Sequence, residues 1–288
     1  GSSSNDKRGP SLNMVVFHFD GTPELESRLA RLGVTLCPES DAAAFERLLP
    51  DMEVLWHVLK PVSADVIARS PRLWLIQKIG TGVNTIDLAA ARARGIAVCN
   101  LPGTNSRAVA EMALLLMLAC LRRVSELNTL VKTPGGWQHA WKLQGGFGEI
   151  GGRTVGLVGY GAVPRLLHPV LEALGARVLY WSRSSKNAGL DSLLPQADIV
   201  SLHLPLAPDT RRLVDVRKLK AGAIVINTAR GELLDENHLI EMLTNGRLAA
   251  AGLDVFTNEP LPPDHALLRL KNVVATPHLG WLTRETLE

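Results

Sequence analysis

The sequence predicts an α/β protein built from two doubly wound, parallel-sheet domains, and three observations predict it. Short apolar runs rich in Val, Ile and Leu alternate with helical patterns along nearly the whole chain. Residues 153–184 form one strand–glycine turn–helix–strand unit. Side chains able to do chemistry recur just after the apolar runs, at the strand ends where open parallel sheets bind ligands.

Composition sets the bounds. The chain has 288 residues, 46% of them hydrophobic and 20% charged, which suits a globular protein with a sizeable core. A net charge of +3, with no basic face interleaved with aromatics, argues against a nucleic-acid partner. The longest apolar run, 112–121, is too short to span a bilayer, and no signal-peptide pattern opens the chain. Cys37, Cys99 and Cys120 sit in apolar surroundings without CxxC spacing. They read as reduced, buried thiols of a cytoplasmic protein, with neither a disulfide frame nor a metal site. Residues 1–13, before Met14, read as a disordered leader or remnant outside the fold.

From Met14 onward, MVVFHF, VTLCP, EVLWHVL, LWLIQKIG and IAVCN read as strands, separated by helical stretches that close on Gly, Pro or Ser. The punctuated link 100–105 leads into a long helix from Ser106 to about Glu126, apolar over most of its surface and therefore buried in a core or against another subunit. Residues 133–152, rich in Gly and holding Trp137 and Trp141, read as a long loop of the kind that serves an interface or a site.

The stretch RTVGLVGYGAVPRLLHPVLEALGARVLYWSRS (153–184) is a βαβ unit whose turn, Gly159-Tyr160-Gly161, begins the fingerprint G-x-G-x-x-G. Glycines let a backbone approach a pyrophosphate, and the following helix turns free N–H groups toward it. Two positions depart from the pattern: Pro164 replaces the third glycine, and the second strand ends in Ser182-Arg183-Ser184 where a carboxylate commonly meets the ribose. Alone the turn could equally be an ordinary glycine turn; the alternation around it points to a Rossmann dinucleotide-binding domain. After it come ADIVSLHL, a helical VRKLK, AIVINTAR, a helix over 236–245, AAAGLDVF and NVVATPHL. The domains read as 14–102, completed by 281–288, and 103–280.

At the strand ends stand Lys78-Ile79-Gly80, His203-Leu204-Pro205, Thr228-Ala229-Arg230, Asp254 with Glu259 close behind, and Pro277-His278. Each has a plain structural alternative. The arginine would be a solvated loop residue, Glu259 an exposed turn before Pro260, His278 a satisfied core histidine and Asp254 a helix cap. Together those alternatives need four coincidences on one sheet edge.

At these residues the chain resembles the D-isomer-specific 2-hydroxyacid dehydrogenase family. The resemblance rests on GTGVNTID (80–87), NSRAVAE (105–111), VGLVGYG (155–161), SLHLPL (201–206), INTARGELLDE (226–236), AGLDVFTNEP (251–260) and ATPHLG (275–280), in the family's order, while 14–77 match only in pattern. The resemblance implies that Arg230 holds the substrate carboxylate and carbonyl oxygen, a task for a planar charged fork. It implies that His278 is the general acid and Glu259 the carboxylate bonded to it. A carboxylate beside an imidazole favours the protonated ring. Asp254 then contacts the nicotinamide carboxamide, and Ala162 and Val163 offer backbone donors to the pyrophosphate. Gly159, Gly161, Leu204, Pro205, Thr210, Thr228, Ala229 and Gly280 complete the cofactor contacts. Ile79 and Gly80, with charge from Lys78, meet the substrate carboxylate from a flavodoxin-like first domain, and Trp281 caps the pocket. The family's domains close about hinges that fall here near 101–105 and 279–283, and 106–126 with 133–150 form a homodimer face. Family members usually continue with a further helix, whereas this chain stops ten residues after His278.

With Ser182 in the aspartate's place, and Arg183 and Ser184 beside it, the expected cofactor is NADP(H), with NAD(H) possible. The expected substrate is a small 2-keto or 2-hydroxy acid of the glyoxylate or hydroxypyruvate type. Phosphoglycerate or phosphite oxidation on the same fold stands as an alternative. So does a non-catalytic, cofactor-sensing corepressor-like protein.

Overall fold

The computed structural model describes residues 14–287, so the expectations for 1–13 and Glu288 lie outside the described residues. The chain divides into two compact units, meeting at Pro102 and Gly103.

The first unit holds strands β1 (Val15–His18), β2 (Val34–Cys37), β3 (Val54–His57), β4 (Leu75–Lys78) and β5 (Ala97–Cys99). Between them run helices α1 (Pro23–Arg31), α2 (Ala42–Leu48), α3 (Ala64–Ala68) and α4 (Leu88–Ala93). Thr22, Asp41, Ser63 and Asp87 cap these helices, each side-chain oxygen accepting the backbone N–H three residues on. That is why each helix starts where it does. The sheet is parallel in the flavodoxin-like order β2-β1-β3-β4-β5. Its core includes Val16, Leu55 and Ile76, all fully buried. Register aligns Cys37, His18, His57 and Lys78 in one row across the carboxyl ends of four strands, and all four are buried.

The second unit holds β6 (Thr154–Val158), β7 (Arg177–Trp181), β8 (Ile199–Leu202), β9 (Ile224–Asn227), β10 (Ala250–Leu253) and β11 (Val273–Ala275). Its helices are α5 (Ser106–Arg122), α6 (Val124–Leu130), α7 (Gly136–Trp141), α8 (Ala162–Ala173), α9 (Leu190–Gln196), α10 (Glu236–Thr244), α11 (Ala266–Arg269) and α12 (Arg284–Leu287). The parallel sheet runs β11-β10-β9-β8-β6-β7, so chain direction across the sheet reverses between β6 and β8. This is a doubly wound Rossmann sheet, and such a reversal marks the ligand crevice. Helix α5 lies close on β9 and β10 because Gly252 has no side chain. A Cβ there would stand 2.8 Å from Leu116 Cβ and 2.9 Å from Ile226 Cδ1.

Five details differ from the sequence expectations. The long helix ends at Arg122, because Arg123 takes φ 51° and redirects the chain into α6. The expected loop 133–152 contains α7 and a short 3-10 turn at Gln144–Gly146. Its glycines and tryptophans mask the helical period. Pro164 sits buried in the first turn of α8, as its missing N–H allows, but a second proline, Pro169, lies inside that helix. Cys99 is exposed, because β5 is the edge strand, while Cys37 and Cys120 are buried. Finally, 281–287 group with the second unit instead of completing the first. Their bonds are local, Trp281 Nε1 to His278 O at 3.1 Å and Thr286 Oγ1 to Trp281 O at 2.9 Å. Among the described residues, no helix is long and apolar enough to cross a membrane.

Candidate active site

The site grows from the carboxyl ends of the second sheet. At the end of β6 the chain turns through Gly159, whose φ of 98° is left-handed and whose N–H donates to Trp181 O at 2.8 Å. A side chain at Gly159 would run into the His203 carbonyl. Gly161 then precedes α8 without a side-chain cap, and nothing lies within 4 Å of where its Cβ would be. The first-turn N–H groups of α8, Ala162 and Val163 among them, thus open onto free space at the positive end of a 12-residue helix.

At the end of β9, the buried Asn227 side chain braces the next turn. Its Nδ2 donates to Arg230 O at 2.8 Å and its Oδ1 accepts from Ala229 N at 3.0 Å. Sequence reasoning missed Asn227, although a lone amide closing an apolar run is a legible signal. Thr228 beside it keeps a buried Oγ1 without a hydrogen-bond partner, which is the kind of atom a ligand satisfies. An open glycine turn, an uncapped helix and an orphaned hydroxyl together fit a dinucleotide.

Asp254, 2% exposed, ends β10 and organises the loop beyond β11. Its Oδ1 accepts from Thr276 Oγ1 at 2.6 Å and from Leu279 N at 3.0 Å, and its Oδ2 from Gly280 N at 2.8 Å. His278 N also donates to Asp254 O at 2.8 Å. Held from both sides, His278 adopts φ 56°, a strained backbone for a residue with a side chain. Its Nδ1 lies 2.6 Å from Glu259 Oε2. An ionised carboxylate only accepts, so the proton sits on Nδ1 and leaves Nε2 for a reactant. Glu259 Oε1 is anchored by Phe256 N at 2.9 Å. Burial opposes the Glu259 charge, but the bond and charge of His278, the Phe256 N–H and Arg230 outweigh it and hold the carboxyl below its usual range. Burial likewise lowers the pKa of Arg230, against the attraction of Glu259 and Glu232. Arg230 Nη1 donates to Ala229 O at 2.6 Å. The arrangement is a half-buried cation, a fixed proton carrier and its counter-charge at the ends of one sheet.

Other expected residues are otherwise engaged. Thr210 Oγ1 braces its own loop through Pro205 O at 2.7 Å and Ala207 N at 2.8 Å. Ser182 Oγ closes a local turn on Ser185, donating to its carbonyl at 2.7 Å and accepting its N–H at 2.9 Å. Arg183 pairs with Asp209, and Ser184 is exposed. Leu204 is half-buried and Pro205 exposed on the loop after β8. In the first unit, Lys78 is 4% exposed, with its ammonium turned inward to the Val58 carbonyl, so it is no surface charge. The Ile79 N–H is taken by His57 O at 2.8 Å, because the ladder continues one residue past β4. Gly80, at φ 132°, is buried, its carbonyl accepts from Leu101 N at 2.8 Å, and a Cβ there would stand 3.4 Å from Lys78 Cε. A cavity of about 400 Å³ lies elsewhere, at the amino ends of β9, β10 and β11 beside Arg123 and Arg153, and holds none of these residues. Among the described residues, no cluster of three or more His, Cys, Asp or Glu side chains is arranged to hold a metal.

Residues 114–280 match the model of the D-isomer specific 2-hydroxyacid dehydrogenase NAD-binding domain. The chain is 37% identical over 245 residues to a glyoxylate reductase of Aeropyrum pernix, covering 78% of this chain and 72% of that one. It is 37% identical over 253 residues to a hydroxypyruvate reductase of Thermotoga maritima, covering 83% and 81%. Among solved structures, the TT0316 protein from Thermus thermophilus aligns with a TM-score of 0.79 at 34% identity, covering 95% of this chain and 91% of that one.

Proposed function

Because the chain belongs to the D-isomer specific 2-hydroxyacid dehydrogenase family and is an NAD(P)-dependent enzyme of that kind, we propose that it reduces a small 2-keto acid, glyoxylate or hydroxypyruvate, in preference with NADPH. The observation that carries this reading is the 2.6 Å His278–Glu259 pair with the half-buried Arg230 close enough to feel the Glu259 charge. When bound, the nicotinamide supplies or accepts the hydride. Arg230 offers a charged fork to the carboxylate and carbonyl oxygen of the acid, which fixes the carbonyl carbon's orientation. As that carbon gains a hydride its oxygen gains charge, and His278 Nε2 delivers the proton that neutralises it. In the oxidative direction the same nitrogen takes the proton from the hydroxyl. Glu259 keeps Nδ1 protonated and balances the ring's charge. Asp254 holds the loop that presents His278, and its two oxygens leave it a positioning role alongside any contact with the carboxamide.

Two finer features belong to the same reading. The NADP(H) preference rests on Ser182, which sets no carboxylate against a 2′-phosphate, and on Arg183 beside it. A homodimer through 106–126 and 133–150 is supported by the exposed apolar side chains there, above all Trp137 at 64% and Trp141 at 66%. A reducing, cytoplasmic setting suits its three unbridged thiols.

The test is a panel of glyoxylate, hydroxypyruvate and 3-phosphohydroxypyruvate run with NADPH and with NADH. Faster NADPH oxidation with either of the first two supports the proposal. Tight cofactor binding without turnover on any of them supports a non-catalytic sensor instead.

A further inference from the structure

The end of β7 and the loop after β8 are tied together by an ion pair. Arg183 follows Ser182 at the carboxyl end of β7, and its Nη2 meets Asp209 Oδ2 on the loop 204–210. Both side chains are exposed, at 65% and 60%, so the pair is reachable from solvent and free to rearrange. The loop that carries Asp209 is by contrast braced by hydrogen bonds. Its neighbour Thr210 is 3% exposed and holds that loop through three bonds, to Pro205 O, Ala207 N and Ala207 O. The turn that carries Arg183 is equally fixed by the two Ser182–Ser185 bonds. Two hydrogen-bonded turns therefore hold a carboxylate and a guanidinium in reach of each other at the carboxyl-end edge of the sheet.

We propose that Asp209 is a cofactor-specificity residue that restrains NADP(H) affinity by occupying Arg183 and by placing a negative charge near the ribose 2′ position. This rests on the reading that Arg183 binds a 2′-phosphate. The end of β7 lacks the acid that would exclude that phosphate, and Asp209 supplies a carboxylate to the same place from the loop after β8, on the far side of β6. For the 2′-phosphate to bind, Arg183 leaves Asp209 and turns to the phosphate, while Asp209 faces a group carrying about 1.5 to 2 negative charges at neutral pH. A ligand without the 2′-phosphate leaves the pair intact. Asp209 thus shapes the choice of cofactor from outside the glycine fingerprint.

The test reads binding to the whole protein by calorimetry, with adenosine 2′,5′-bisphosphate as the probe and ADP as the control. Asp209→Asn should tighten the bisphosphate about tenfold, the sum of a freed exposed pair and a removed repulsion, and change ADP less than twofold. Arg183→Gln should weaken the bisphosphate and leave ADP alone, and the double variant should bind the bisphosphate more tightly than Arg183→Gln, because the repulsion is gone, but less tightly than Asp209→Asn. Dissociation constants for NADPH and NADH should follow the same pattern. If Arg183→Gln weakens the bisphosphate but Asp209→Asn leaves it unchanged, Asp209 has no such role and the cofactor reading survives. If neither variant alters the bisphosphate, the cofactor reading falls and this inference falls with it.

Discussion

His278 Nδ1 and Glu259 Oε2 stand 2.6 Å apart, although they come from different loops, 19 residues apart in the chain. Each partner is independently anchored: Glu259 by Phe256 N, His278 by Asp254 through its own N–H. The pair is thus set by the sheet behind it and does not depend on a ligand to form. The cost of orienting a proton carrier is met in folding, which is what makes the pair useful to catalysis.

His278→Ala should lower kcat by about 10²–10⁴-fold with little change in cofactor affinity, since a general acid acts on the transition state. Steady-state kinetics with a saturating 2-keto acid, beside a cofactor titration, checks this. An unchanged kcat would remove His278 from its role.

Glu259→Gln should lower kcat less than His278→Ala, because the amide can still face Nδ1 but carries an NH2 donor beside its one acceptor oxygen and no charge. Steady-state kinetics of the two variants side by side reads this directly, and a kcat equal to that of the unaltered protein would contradict it.

Arg230→Lys should raise KM for the keto acid and lower kcat/KM by about 10–100-fold, the loss of one charge-assisted bond of a fork. The charge is kept, so the effect isolates geometry. Equal kcat/KM in the two proteins would show that a point charge suffices.

Asp254→Asn should destabilise the second unit by roughly 1–3 kcal/mol and lower kcat as well. Asp254 accepts from Thr276 Oγ1, Leu279 N and Gly280 N. An amide turns one of its two oxygens into a donor that faces an N–H or a hydroxyl. Thermal unfolding and kcat together test this. A loss of kcat without loss of stability would point to cofactor contact alone.

The first unit should lose stability as pH falls below about 6.5. Burial lowers the His18 pKa to about 4, with Lys60 adding to the effect and Asp20 opposing it. Burial, and then Lys78, lower that of His57 to about 3, against the Lys60 carbonyl. The unfolded chain therefore binds protons in this window that the folded unit refuses. Stability is full above the unfolded value and declines toward the folded ones, by on the order of 3 kcal/mol for His18 alone. His18 stacks on Phe45 with centroids 3.8 Å apart, so His18→Phe keeps the packing and should flatten the decline. Hydrogen exchange of β1 and β3 amides, compared between neutral and mildly acidic solution, measures it.

The alternation of apolar runs and helical patterns carried the fold class, because period and punctuation are local properties of the chain. Where local signals conflict, reading along the chain failed. Arg123 at φ 51° ended a helix that the apolar pattern would have continued, and α7 was hidden among glycines.

Which residues end strands, and therefore Arg230, Glu259, Asp254 and His278 as candidates, followed from the chain alone, since a parallel sheet sends every strand end to one edge. Their partnerships did not. That Asn227 braces Arg230, that Asp254 spends both oxygens on the His278 loop, and that Arg183 is held by Asp209 were decided by tertiary structure. Lys78 makes the same point in the first unit, where a strand-end charge expected beside a substrate carboxylate is buried against the Val58 carbonyl. A hydrogen bond needs a donor and an acceptor within about 3 Å. Spacing along the sequence does not specify which loops the sheet order brings that close.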